Sequence, residues 1–145
     1  MARQVGRSKA VVGVRAPASG LFKSADSMPL VATVIGAGGR LDIDRISEVF
    51  NMTKGQLAET AGLARDTLQK TPRRDAPKTQ ARVTEMLEIL SRVEAWAGGR
   101  PQAMAWYRAQ PIPALDGRTA EALVKSGQAT LVRDYLDQVA VGGFA

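Results

Sequence analysis

The sequence predicts an all-α fold, and three features carry that expectation. From Leu41 onward apolar residues recur at three- and four-residue spacing, the mark of helices that bury one face. Glycines and prolines fall between these periodic stretches, where helices stop and start. No internal repeat or low-complexity tract interrupts the pattern.

Taken in order, residues 1–40 mix glycine, proline and serine with short apolar runs and hold no sustained helical period. They are expected to form a mobile basic arm. Within them LVATVIGAG, Leu30 to Gly38, stays open between one strand and a short helix packing on a partner. Ile43, Ile46, Val49 and Phe50 then predict a helix ending near Asn51, with Asp42 or Asp44 as its N-cap. Thr53 followed by Gln56 is a capping-box signature. It opens a second helix whose buried stripe is Leu57, Ala58 and Ala61 and which stops at Gly62. A third helix is expected over Ala64 to Lys70, ended by the prolines of TPRRDAP.

A longer helix follows from Pro77 to Ala97, with Val83, Met86, Leu87, Leu90, Val93 and Trp96 on one face and Gly98 and Gly99 closing it. Pro101 suits the first turn of the next helix, which carries Met104, Trp106 and Tyr107 inward. After the loop RAQPIPALDGRT, Thr119 caps a helix to about Lys125. A last helix with Leu131, Val132, Tyr135, Leu136 and Val139 ends at Gly142 and Gly143. The organisation expected is an arm over 1–40, a helix-turn-helix region over 41–74 and a helical domain over 75–145.

Composition narrows the chemistry. The chain has neither cysteine nor histidine, which removes disulfides, thiol nucleophiles, histidine acid–base catalysis and most transition-metal sites. No metal or cofactor is expected. An enzyme would have to use scattered carboxylates such as Asp134 and Asp137, whose spacing equally suits a solvated face. No run approaches the roughly 20 apolar residues of a membrane span, and the first residues lack the features of a secretory signal, so a cytoplasmic protein without membrane contact is expected. The net charge of +6 is concentrated in residues 1–40, which hold six basic residues and one acidic. That end is either a phosphate-contacting arm or a solvated tail.

Two helices joined by a short glycine-containing turn are the sequence form of a helix-turn-helix, whose later helix enters the major groove of DNA. On that reading Arg65 contacts guanine, Asp66 accepts from cytosine or orients Arg65, and Gln69 reads adenine beside Thr67. Thr53, Lys54 and Lys70 hold phosphates, and Arg73 and Arg74 belong to the same DNA-binding face. Between Arg65 and Arg82 six basic residues face two acidic ones, an electrostatic footprint suited to promoter DNA and a homo-oligomeric binder. The competing reading is a plain helical hairpin with its polar side in water.

LAETAGLARDTLQK, followed by PALDGRT, SGQ and the ending GGFA, resembles the antitoxins of the Xre/MbcA/ParS toxin-binding-domain group over residues 41–145. PALDGRT looks like that family's Pro-x-Leu-x-Gly-x-Thr-Pro segment, with Ala120 in place of the second proline and Asp116 in place of a frequent glycine. The resemblance implies an Xre-like helix-turn-helix followed by a small toxin-binding domain. It further implies a type II antitoxin that represses its own promoter and covers the active site of an NAD-consuming toxin, ADP-ribosyltransferase-like or RES-type. Gly142, Gly143, Phe144 and Ala145 would form the plug, with Arg118 and Tyr135 behind it. Against this stand a core role for Tyr135 and Phe144, and pairing of Arg118 with Asp116 or Glu121. A stand-alone helix-turn-helix regulator is the alternative function.

Overall fold

The computed structural model describes residues 30–142, and the described residues form eight helices without a strand. They are α1 (Leu30–Thr33), α2 (Ile43–Phe50), α3 (Lys54–Thr60), α4 (Thr71–Arg74), α5 (Pro77–Ala97), α6 (Arg100–Ala109), α7 (Ala120–Lys125) and α8 (Ala129–Ala140).

α5 is the axis on which the rest assembles. Pro77 begins it at a position where a missing N–H costs nothing, and Gly98, in the left-handed conformation at φ 108°, ends it. Val83, Met86, Leu87, Leu90 and Val93 are buried as their spacing requires. Ile89 and Thr79 are buried too, because α5 is covered from several sides, by α1, α6 and α8. Trp96 remains half-buried and meets Trp106 of α6 edge to face, with ring centroids 5.9 Å apart.

The capping signals act as the sequence implies. The Asp42 carboxylate accepts from the Arg45 N–H at the start of α2. Thr53 and Gln56 exchange both bonds of a capping box at 3.0 and 2.9 Å. Thr119 Oγ1 accepts from the Ala122 N–H. Asn51 ends α2 at φ 54°, one of the few non-glycine residues that tolerate the left-handed region.

Two expectations change. Residues 30–40 do not all belong to an arm: Leu30 to Thr33 form a helical turn, and Leu30 and Val34 are buried in the core. The Leu30 N–H donates to Ser91 Oγ on α5, so the partner of this turn is the chain's own longest helix. Residues 1–29 and 143–145 lie outside the described residues. The helix expected over Ala64 to Lys70 is replaced by successive turns, with Thr67 N–H bonded to Ala64 O and Gln69 N–H to Asp66 O. Pro72 has no N–H to give the Leu68 carbonyl and cannot extend a helix from the preceding residues. The backbone therefore goes extended at Lys70 and restarts as α4. Leu68, fully buried, pins the turns to the core.

Candidate functional site

The cations proposed as a DNA face stand together around α3 and α4, most of them beside a carboxylate. Lys54 Nζ lies 2.8 Å from Asp44 Oδ1, and Arg74 reaches the same oxygen at 3.8 Å. The Lys54 hydrogen bond, set against a little desolvation, holds the Asp44 carboxyl below the usual carboxylate range. Arg65 Nη1 donates to Glu59 at 2.8 Å, and Arg73 sits 3.5 Å from Asp66. The Arg65 side chain lies flat across α3, so closely that a methyl group on Gly55 would stand 3.2 Å from its Cγ, Nε and Cζ. Arg65 thus points along the protein rather than outward from a helix. The exposed pairs, Arg65 with Glu59 and Arg73 with Asp66, contribute about 0–1 kcal/mol each, so a phosphate can displace the carboxylate there at small cost. Thr53 is taken up by its cap. Thr67 is half-buried, Gln69 and Lys70 are exposed, and no carboxylate among the described residues pairs with Lys70.

Beside this face the loop 36–43 and α4 enclose a cleft of about 200 Å³, lined by polar groups that include Arg40, Thr71, Arg74, Asp42 and Asp75. Arg74 Nη1 is shielded there without a hydrogen-bond partner. Such a charged donor costs on the order of 1–3 kcal/mol while it stays unsatisfied.

The second group of candidates is carried by α7, α8 and the loop before them. Ile112 and Arg118 close that loop through a hydrogen bond from Ile112 N–H to Arg118 O at 3.0 Å. Asp116 turns the chain at φ 62°, a left-handed conformation that aspartate adopts more readily than most other residues with a side chain. Arg118 pairs with neither Asp116 nor Glu121. Its Nη2 donates to Ser126 Oγ at 3.0 Å, while Glu121 holds Lys125. The Ser126 hydroxyl proton reaches Leu123 O or Gln128 Oε1, so Arg118, Ser126 and Gln128 form one polar cluster at the start of α8.

α8 buries Ala129, Val132, Leu136 and Val139. One flank is tied to α5 through Arg133 with Glu88 and Arg92 with Asp137. At 100° per residue, Gln128, Leu131, Tyr135, Gln138 and Gly142 fall together on the opposite flank. Tyr135 is half-buried and packs against the core, whereas Leu131 is 40% exposed and Val141 83%. Gly142 is exposed at φ 83° with open space around it; Gly143, Phe144 and Ala145 are outside the described residues.

The two groups of candidates are joined by two side chains, Arg82, legible in the sequence only as part of a basic footprint, and Tyr107, expected only in the core. Arg82 Nη1 lies 3.4, 3.5 and 3.3 Å from the carbonyls of Ala61, Gly62 and Val124, the ends of α3 and α7. Both helix C-termini carry partial negative charge, which a guanidinium offsets. Tyr107 of α6, fully buried, donates to the Thr60 carbonyl at 3.0 Å, and burial raises its hydroxyl well above the ordinary tyrosine range. Among the described residues no cluster of acidic side chains could hold a metal ion, and no helix is long and apolar enough to cross a membrane.

Residues 92–142 match the family model described as the antitoxin Xre/MbcA/ParS C-terminal toxin-binding domain. No curated protein and no solved structure gives a match to the chain.

Proposed function

We propose that the chain is an antitoxin, on the strength of the match of its residues 92–142 to the Xre/MbcA/ParS toxin-binding domain, and that it silences an NAD-consuming toxin, ADP-ribosyltransferase-like or RES-type, by lying over the toxin's active site. The observation that carries this reading is the free flank of α8. It starts at the Arg118–Ser126–Gln128 cluster, runs through Leu131 and Tyr135, and leads into Gly142 and the residues after it. An amphipathic helix docks into a groove through anchors one turn apart, and on this flank the exposed Leu131 and the half-buried Tyr135 stand one turn apart. Phe144 then fills the toxin cleft as an aromatic plug, with Gly142, Gly143 and Ala145 allowing its approach. The chain acts by occupying a surface and turns over no substrate itself.

The same chain represses its promoter, as an oligomer, through the cations around α3 and α4. Thr67 and Gln69 lie on that face with Lys54, Arg65, Asp66, Lys70, Arg73 and Arg74. Its support is that all of these residues but Lys54 lie on the turns and short helix between Gly62 and α5, and that Lys54 at the start of α3 shares Asp44 with Arg74. A stand-alone regulator would have no use for the toxin-binding domain.

Truncation after Val141 tests the first part. The shortened chain is expected to keep its fold and its DNA affinity while losing most of its inhibition, measured as NAD consumption by the toxin encoded beside it. Undiminished inhibition by the truncated chain would discard the plug.

A further inference from the structure

We propose that the cleft between loop 36–43 and α4 is a phosphodiester site, in which Arg40 and Arg74 grip the backbone of nucleic acid. This rests on the promoter-binding reading above and places its backbone contacts.

The walls are preformed. Gly36 N–H bonds to Arg40 O at 2.6 Å and Asp42 N–H to Val34 O at 2.7 Å, closing the loop on itself. Gln80 of α5 then ties both sides together: its Oε1 accepts from Leu41 N–H at 2.9 Å and its Nε2 donates to Arg74 O at 2.8 Å. One side chain therefore fixes the distance between the loop that bears Arg40 and the helix that bears Arg74.

The donors lack acceptors of their own. Arg40 is exposed, curls over the turn at Gly38, and has no carboxylate partner among the described residues. Arg74 shares Asp44 with the nearer Lys54, and the Asp44 oxygen, at 3.8 Å, is too far for a hydrogen bond to its Nη1. Thr71 adds a hydroxyl.

Size and charge choose the ligand. A cleft of about 200 Å³ is smaller than the pockets that enclose whole cofactors, which begin at roughly 300 Å³, and suits a single phosphate group. Asp42 and Asp75 also line it, so its four charged side chains sum to zero. The Asp42 carboxylate is already engaged by the Arg45 N–H. Without a net positive field, a dianionic free phosphate gains little. A singly charged diester, held by the planar fork of a guanidinium, gains from geometry instead. Lys70 and Arg73 on either side of Thr71 extend the cationic track beyond the cleft.

Full-length wild type, Arg40→Gln and Arg74→Gln are titrated with a mixed-sequence duplex by fluorescence polarisation across a salt series. A parallel titration uses inorganic phosphate alone, and thermal melting checks each fold. Each substitution is expected to weaken binding to all sequences alike and to lower the salt slope by about 0.9, the value for one phosphate contact. Inorganic phosphate should bind far more weakly than the duplex. Tighter binding of inorganic phosphate, lost in Arg40→Gln, would overturn the diester assignment in favour of a free-anion site. A duplex bound by wild type with an unchanged slope in Arg40→Gln overturns the site alone. A wild type that binds no duplex overturns the promoter-binding reading and the site with it. Arg40 is exposed, so that variant carries the test even where Arg74→Gln fails to fold.

Discussion

Replacing Tyr107 with phenylalanine removes one oxygen from the interior and tests what joins the two halves of the fold. The hydroxyl donates to the Thr60 carbonyl at 3.0 Å in a site closed to solvent. Without it that carbonyl stays buried and loses this donor, a loss of about 1–3 kcal/mol, partly offset because phenylalanine has no hydroxyl to desolvate. A net loss of about 1–2 kcal/mol follows. In a chain of this size each kcal/mol moves the thermal midpoint by roughly 2–4 °C, so a fall of about 2–8 °C is expected by calorimetry.

The same variant has a signature in pH. Burial raises the Tyr107 pKa in the folded state, so its neutral form is favoured there, while in the unfolded chain it ionises near pH ~10. The stability tied to this group is complete below that pH and is lost as pH rises further. Tyr107→Phe should therefore flatten the alkaline limb of the stability profile. Equal midpoints in the two proteins together with identical alkaline limbs would refute the argument that this bond holds α3 to α6.

Gly62→Ala should destabilise by about 1–3 kcal/mol in urea denaturation, because its φ is 81° and the added carbon would stand 2.7 Å from Arg82 Nη1 and 3.0 Å from Lys125 Cα. Leu131→Asp, at a 40% exposed position, should leave the melting temperature within about 2 °C of wild type yet weaken toxin binding at least tenfold by calorimetric titration. Acidification should weaken the Asp44–Lys54 pair: the Asp44 pKa is lowered in the fold, so its contribution is present above the unfolded value of about 3.9 and lost as pH falls below it. Asp44→Asn removes that dependence in an acid titration of stability.

Most helix boundaries were legible because they are written in short-range chemistry. Thr53 with Gln56, Thr119, and Gly98 each act within one turn of their own position, so neighbours in sequence suffice to place them. The stretch from Ala64 to Lys70 failed for the opposite reason. Its conformation is decided by Leu68 reaching the core and by Pro72 beyond its end, and seven residues of helix propensity are too few to resist both. The Leu30–Val34 turn shows nothing of its partner until α5 exists to receive it. Leu131 is apolar like its neighbour Val132, yet it is 40% exposed: α8 is packed on fewer sides than α5, where adjacent residues such as Met86 and Leu87 are both buried. Arg82 looked like any charged residue on a helix. Its acceptors lie 20, 21 and 42 residues distant, beyond any local pattern.

The placement of Arg82 constrains anyone who wants to build chimeras from such chains. A graft cut at the start of α5 would move the guanidinium with one parent and leave the Ala61 and Gly62 carbonyls with the other, each deprived of its counterpart. A donor for exchange must therefore bring the end of α3 along with everything after it, or supply an arginine at the matching turn of its own long helix. The end of α3 and the helices from α5 onward are, in this architecture, exchanged together or not at all.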